Sequence, residues 1–149
     1  MDRLKVDEIK DNLITAVAAL IINDSGYILG FARNGDENKL GLIAGGREAG
    51  ETLNECIRRE AREEAGLEDL EIPDRPLFID KPGEAASNYC ATFLVRYNGF
   101  GPFPLANEYE AGKSEGYAFW IRPEDLIRND RAAFKKYNTQ LLRRAKLID

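Results

Sequence analysis

The stretch from Thr52 to Ala65 changes character halfway along one face, and few folds can house such a helix. It contains no Gly or Pro and runs into Gly66, the residue type that closes helices in the left-handed conformation. At about 100° per residue, Leu53, Cys56 and Ile57 fall on one stripe. Glu60, Glu63 and Glu64 continue that stripe, because spacings of three and four bring side chains onto a common face. The face therefore passes from apolar to triply anionic. Like charges at these spacings repel, so a cation is expected between them. Glutamate-rich helices ordinarily show their carboxylates to water, whereas these prolong the face that packs inward. A hard divalent cation held by oxygens, Mg2+ or Mn2+, fits best.

Seven residue identities surround this face: Gly45, Glu51, Arg59, Glu60, Glu63, Glu64 and Gly66. From Gly45 to Leu67 they read Gly-x5-Glu-x7-Arg-Glu-Ala-x-Glu-Glu-x-Gly-Leu. At about one in fifteen per position, seven identities meet by chance at roughly 10⁻⁸ per start position. The pattern resembles the Nudix box, and the chain, over roughly Leu13 to Leu126, resembles a Nudix hydrolase. That resemblance implies an α/β fold, a Nudix-type α/β/α sandwich with a mixed central sheet. It also implies divalent-metal-dependent cleavage of a pyrophosphate bond in a nucleoside diphosphate linked to another group.

By the same resemblance Glu60, Glu63 and Glu64 are metal ligands, joined by the backbone carbonyl of Ala44. Arg59 orients Glu60 and holds it ionised. Glu51 and Gly66 are structural members of the box, Glu51 near the helix start, where unpaired N–H groups favour a carboxylate. Family members take one more carboxylate from a loop before a late Trp-containing strand. Here Glu115 precedes Tyr117-Ala118-Phe119-Trp120 and is the first candidate, with Glu108 and Glu110 as rivals. Arg33 stands where an Arg often contacts phosphate, and the Gly45-Gly46 bend lies on the substrate side. Tyr27, Phe31, Tyr89, Phe119 and Trp120 are candidate base-stacking aromatics, of which one or two at most should leave the core. The chain departs from the family pattern at Ile43-Ala44, where many members carry Pro-Gly, and at Ala61, small for an aliphatic position.

The remaining chain is read as one domain spanning residues 1–149, long enough for a self-sufficient core. Residues 13–22 and 27–33 read as strands around the Asn23-Asp24-Ser25-Gly26 turn, the pair forming a hairpin. Polar 34–38 is a loop and 40–44 a short strand entering the glycine bend. Pro73 and Pro76 bracket a turn. Residues 77–80 and 89–97 are strands, 98–116 a long Gly- and Pro-containing loop, and 117–121 a last strand. Pro123 opens a helix where its missing N–H does no harm, with Glu124 and Asp125 suiting the dipole. Residues 130–146 form an amphipathic helix on Phe134, Tyr137, Leu141 and Ala145.

Composition excludes several functions. The net charge is −5 with scattered cations, unlike the basic stripe of a nucleic-acid platform. Bound metal would invert the local field that otherwise repels a phosphate-rich substrate. With no histidine, acid–base work falls to carboxylates, Lys, Tyr or metal-bound water, and no Ser-His-Asp or Cys-His set can form. No apolar run reaches the 18 or so residues that cross a bilayer, and the charged opening residues do not suit a signal peptide. Two cysteines build no disulfide framework, so a cytoplasmic protein is expected. The partner is then a nucleotide-type small molecule, with a homodimer left open.

Within that enzyme class, Pro82 lies 15 residues after Leu67, as in some ADP-ribose-cleaving relatives. This tilts the substrate towards ADP-ribose or a nucleotide sugar. The compact length and the late Glu-to-Trp arrangement equally resemble members that hydrolyse (deoxy)nucleoside triphosphates. A non-catalytic nucleotide sensor and a metal-binding scaffold are the readings from other classes; sensors usually lose box glutamates, and all are present here. Either Glu60 or Glu115 serves as general base.

Overall fold

In the computed structural model the described residues are 11–33, 40–68, 70–81, 88–98, 116–128 and 135–149, excluding the side chains of 11, 33, 135 and 137. After a 3-10 turn at Asp11–Leu13 come β1 (Ile14–Ile22), β2 (Ile28–Arg33), β3 (Leu40–Gly46) and α1 (Leu53–Ala65). Then follow β4 (Phe78–Asp80), β5 (Tyr89–Arg96), β6 (Gly116–Ile121), α2 (Pro123–Arg128) and α3 (Lys135–Arg144). The strands form one mixed sheet in the order β4-β5-β1-β3-β2-β6.

The sheet order follows from the apolar run of β1. Val17, Ala19 and Ile21 are buried on one face and Ala18 and Leu20 on the other, and a strand buried on both faces belongs in the middle. β1 accordingly pairs antiparallel with β3 and parallel with β5. The hairpin expected from residues 13–33 survives only at its mouth, where Ile22 pairs with Ile28. Beyond it β3 enters between the two strands, and β2 pairs with β3 and β6 instead. The loop expected at 34–38, most of that at 98–116, and Phe134 lie outside the described residues.

Each sheet face carries its own core. Under α1 lie Val17, Ile21, Leu29, Phe31, Ile43 and Phe93 with Cys56, Ile57, Ala61 and Ala65 of the helix. On the opposite face Leu20, Ile28, Ala32, Leu42 and Phe78 meet Leu126 of α2 and Leu141 and Leu142 of α3. Buried Asp80 of β4 accepts a hydrogen bond from Arg144 Nη1, and that guanidinium lies 4.0 Å above the Phe78 ring. Helices therefore cover both faces, as an α/β/α sandwich requires.

Helix α1 carries the acidic stripe, and both of its ends are built locally. Thr52 caps the first turn by accepting from the Glu55 N–H at 3.1 Å, while the Glu55 carboxylate accepts from the Thr52 N–H at 2.9 Å. These bonds hold the Glu55 carboxyl below its usual range. At the other end Gly66 adopts φ 66°, where a side chain is strained. Thr52→Ala should cost about 1 kcal/mol, read as a lower midpoint of urea unfolding with unchanged slope. An unchanged midpoint would show that the cap contributes nothing.

Candidate active site

The acidic stripe lies against the C-terminal end of β3. Glu60 is 9% and Glu64 2% exposed, so both carboxylates are buried, Glu64 nearly as deeply as the core positions around it. Glu63 stands at the margin, its side chain 44% exposed. Ala61 and Ala65, on the same inward side, are fully buried, so the small residue at 61 lies directly in the packing layer. Buried carboxylates require partners, and the chain supplies them from three directions.

The first is backbone: the Ala44 N–H donates to Glu64 Oε1 at 3.1 Å. The second is space. A Cβ at Gly45 would overlap the Glu60 carboxylate, so only glycine lets β3 approach that group so closely. A Cβ at neighbouring Gly46 would meet nothing within 4 Å; there it is the carbonyl that works, accepting from Arg59 Nη2 at 2.9 Å.

The third is charge. Arg59 grips Glu51 with a two-pronged fork, Nε to Oε2 at 2.7 Å and Nη2 to Oε1 at 3.0 Å. Its Nη1 donates to Glu60 Oε1 at 2.9 Å and to Glu63 Oε2 at 3.3 Å. These hydrogen bonds and charges raise the guanidinium further above its ordinary pKa, Glu51 contributing most. The Arg59 bond in turn lowers the Glu51 carboxyl from 4.5 to about 2. Neighbouring Cys56 is pushed up to about 12, chiefly by burial, so its thiol is inert at neutral pH.

The role expected for Glu51 differs in one respect. Its carboxylate serves Arg59 and the Glu48 N–H at 2.8 Å, while at the helix start it is Thr52 that accepts from the Glu55 N–H. The cause is position: Glu51 precedes the capping residue and turns towards the flank of the helix. The Thr52-x-x-Glu55 spacing was the legible signal for that cap. Nothing in a residue pattern marks the Ala44 N–H as a partner for Glu64, since every residue but proline carries one.

Other candidates are placed less fully. Arg33 ends β2, its backbone paired with Gly116, and its side chain lies outside the described residues. Glu115, Glu108, Glu110 and Pro82 also lie outside them. Of the aromatics, Phe31 is core and Phe119 packs on the opposite core; Trp120 stacks on Tyr97 at 6.0 Å, and Tyr27 lies under Arg122. Tyr89 faces Lys81. Two clefts, of about 190 Å3 along Arg58 and Arg62 and about 270 Å3 between α2 and the chain end, carry none of the box glutamates.

Glu60, Glu63 and Glu64 offer only oxygen donors, which suit a hard divalent cation. Among the described residues no three acidic or thiol groups close around an ion by themselves. Water and substrate oxygens would complete its shell, as Mg2+ commonly requires.

A fold and site of this kind define a class, and comparison with known proteins agrees with it. The family model of the NUDIX domain matches residues 12–143. A NUDIX-family hydrolase from Clostridium perfringens superposes with a TM-score of 0.62 at 19% identity, over 90% of this chain and 97% of that one. An Ap4A hydrolase of C. elegans gives 0.64 at 16% identity, over 89% and 99%. The dihydroneopterin triphosphate pyrophosphohydrolase of E. coli gives 0.61 at 14%, over 84% and 92%. No curated protein sequence matches the chain. The chain belongs to the Nudix family and is a pyrophosphohydrolase. That family generally uses divalent metal ions. No helix among the described residues is long and apolar enough to cross a membrane.

Two outcomes test this geometry. Gly45→Ala should displace the Glu60 carboxylate and lower kcat by about a hundredfold; activity within twofold of wild type would contradict the close approach. The Glu51–Arg59 pair should stabilise fully above pH 4.5, the ordinary Glu51 value, and lose its contribution as pH falls towards about 2. The urea-stability gap between wild type and Glu51→Gln should therefore be flat above pH 5 and shrink below 4.5. A gap that persists unchanged to pH 2.5 would refute it.

Proposed function

We propose that the chain hydrolyses a nucleoside diphosphate linked to another moiety, ADP-ribose or a nucleotide sugar being favoured over (deoxy)nucleoside triphosphates. The observation that carries the reaction is the pair of buried glutamates, Glu60 and Glu64, held beside β3 by Arg59 and the Ala44 N–H. Such a face is costly to bury and has no packing use, which favours an enzyme over a scaffold. The substrate preference rests on Pro82, 15 residues after Leu67 in the sequence.

Glu60, Glu63, Glu64 and the Ala44 carbonyl are the groups that would hold the cation, Mg2+ or Mn2+, with Glu115 as a further ligand or base. Bound there, the cation supplies charge neutralisation on the diphosphate and a more acidic water. Arg59 fixes the Glu60 carboxylate through Nη1 and is itself fixed by Glu51. Glu60 or Glu115 takes a proton from water as its oxygen bonds to phosphorus. The P–O–P bridge breaks, and the products are a nucleoside monophosphate and the other phosphorylated fragment. Arg33 and the Gly45-Gly46 bend are the proposed contacts to substrate phosphate. A cytoplasmic setting suits a chain whose two cysteines are buried and in no disulfide.

The test is a panel with Mg2+ or Mn2+: ADP-ribose, nucleotide sugars, dNTPs, and Ap4A and dihydroneopterin triphosphate, named for the neighbours above. Metal-dependent turnover of ADP-ribose or a nucleotide sugar, abolished by Glu63→Gln or Glu64→Gln and by EDTA, is expected. Preference for dNTPs would move the substrate to the alternative. Binding without turnover throughout would make the protein a sensor.

A further inference from the structure

We infer that Arg47, on the loop between β3 and α1, is a positioning residue for the reaction, locking the acidic face of α1 to the start of β1. The inference rests on the hydrolase reading above and deepens it. Arg47 Nε donates to the Glu51 carbonyl at 2.8 Å and Nη1 to the Ile14 carbonyl at 3.2 Å. Its own N–H donates to the Thr15 carbonyl at 2.8 Å. One residue thus holds two successive carbonyls of β1 and one just before the helix cap.

The Thr15 bond extends the β1–β3 ladder one step beyond the Ala16–Gly46 pair, whereas the Ile14 carbonyl is available for a separate physical reason. Pairing of β1 with β5 runs regularly from Ala16 to Ile22 but slips between Ile14 and Ala16. Such an irregularity takes backbone groups out of the ladder, and buried backbone acceptors need a donor. A guanidinium can serve two carbonyls at once because its N–H groups diverge in a fixed plane. A lysine ammonium at the same point reaches one at most without crowding.

From the loop the chain of contacts leads to the chemistry. The turn at 48–51 is closed by Glu51 N–H to the Glu48 carbonyl at 3.1 Å, and Gly50 supplies its φ of 84°. The Glu51 carboxylate then takes the Arg59 fork, and Arg59 Nη1 holds Glu60. Arg47 touches none of the glutamates of the acidic face through the contacts described. It acts by fixing the Glu51 backbone, and so the angle from which Arg59 presents Glu60. Outer partners of this kind typically change metal affinity or activity by about 10–100-fold when removed.

The experiment compares Arg47→Lys and Arg47→Ala with wild type, and with Arg62→Gln on the exposed side of α1 as control. Three readouts are taken: kcat and KM on whichever panel substrate turns over, Mn2+ affinity by electron paramagnetic resonance, and the melting temperature. Both Arg47 variants should lose about tenfold or more in kcat with KM within twofold, and bind Mn2+ about tenfold more weakly. Arg62→Gln should match wild type. Should Arg47→Ala not fold, Arg47→Lys decides, losing kcat and Mn2+ affinity at a melting temperature near that of wild type. Folded variants with wild-type kcat and Mn2+ affinity would overturn the inference, whatever their melting temperature. If wild type itself turns over nothing, the hydrolase reading falls and Mn2+ affinity alone decides: equal binding by Arg47→Lys and wild type overturns the positioning role.

Discussion

The structure turns on the burial of two carboxylates, Glu60 and Glu64, side by side on one helix face. Removing a charge from water costs several kcal/mol even after relaxation, and a second like charge one turn on adds repulsion. The fold offsets this with directed donors: a backbone N–H for Glu64 and a guanidinium for Glu60. It also removes a side chain, at Gly45, so that β3 can close on the pair. None of these devices improves a core. An apolar residue at either position would pack against Ala61 and Ala65 without such help, so the arrangement reads as serving chemistry.

Arg59 is where the fold and the chemistry meet. Its guanidinium joins the loop before α1, through Glu51 and the Gly46 carbonyl, to the acidic face, through Glu60 and Glu63. A lysine could neutralise a charge there but could not reproduce the fork. The order of the elements follows. β3 delivers Ala44, Gly45 and Gly46 as consecutive residues, the loop turns at Gly50, and the Thr52 cap starts the helix at the phase that points its anionic half at β3. A shift of one residue in the helix start would rotate that half by about 100°.

Much of this was legible in the sequence because it rests on local rules. The helix limits followed from the absence of breakers and from Gly66. Periodicity placed Glu60, Glu63 and Glu64 alike on the inward stripe. Glu60 and Glu64 are buried there. Glu63 stays at the margin, its side chain 44% exposed, because it lies about 60° from Glu60 on the side away from Glu64. The pairing of residues 13–22 with 27–33 was misleading. Strand order depends on which long-range partners bury both faces of β1, and turn chemistry at Asn23-Gly26 reports only the contact nearest to it. Arg47 was equally hidden, for its role depends on a slipped register between β1 and β5, two strands more than sixty residues apart in sequence. The Nudix resemblance carried what no spacing rule could, the identity of the reaction.

The central claim is that the Glu60–Glu64 face is a divalent-cation site. Anomalous diffraction from crystals saturated with Mn2+ tests it most directly. The account predicts a peak about 2 Å from carboxylate oxygens of Glu64 and at least one of Glu60 and Glu63. A well-occupied Mn2+ elsewhere with that face empty would contradict it.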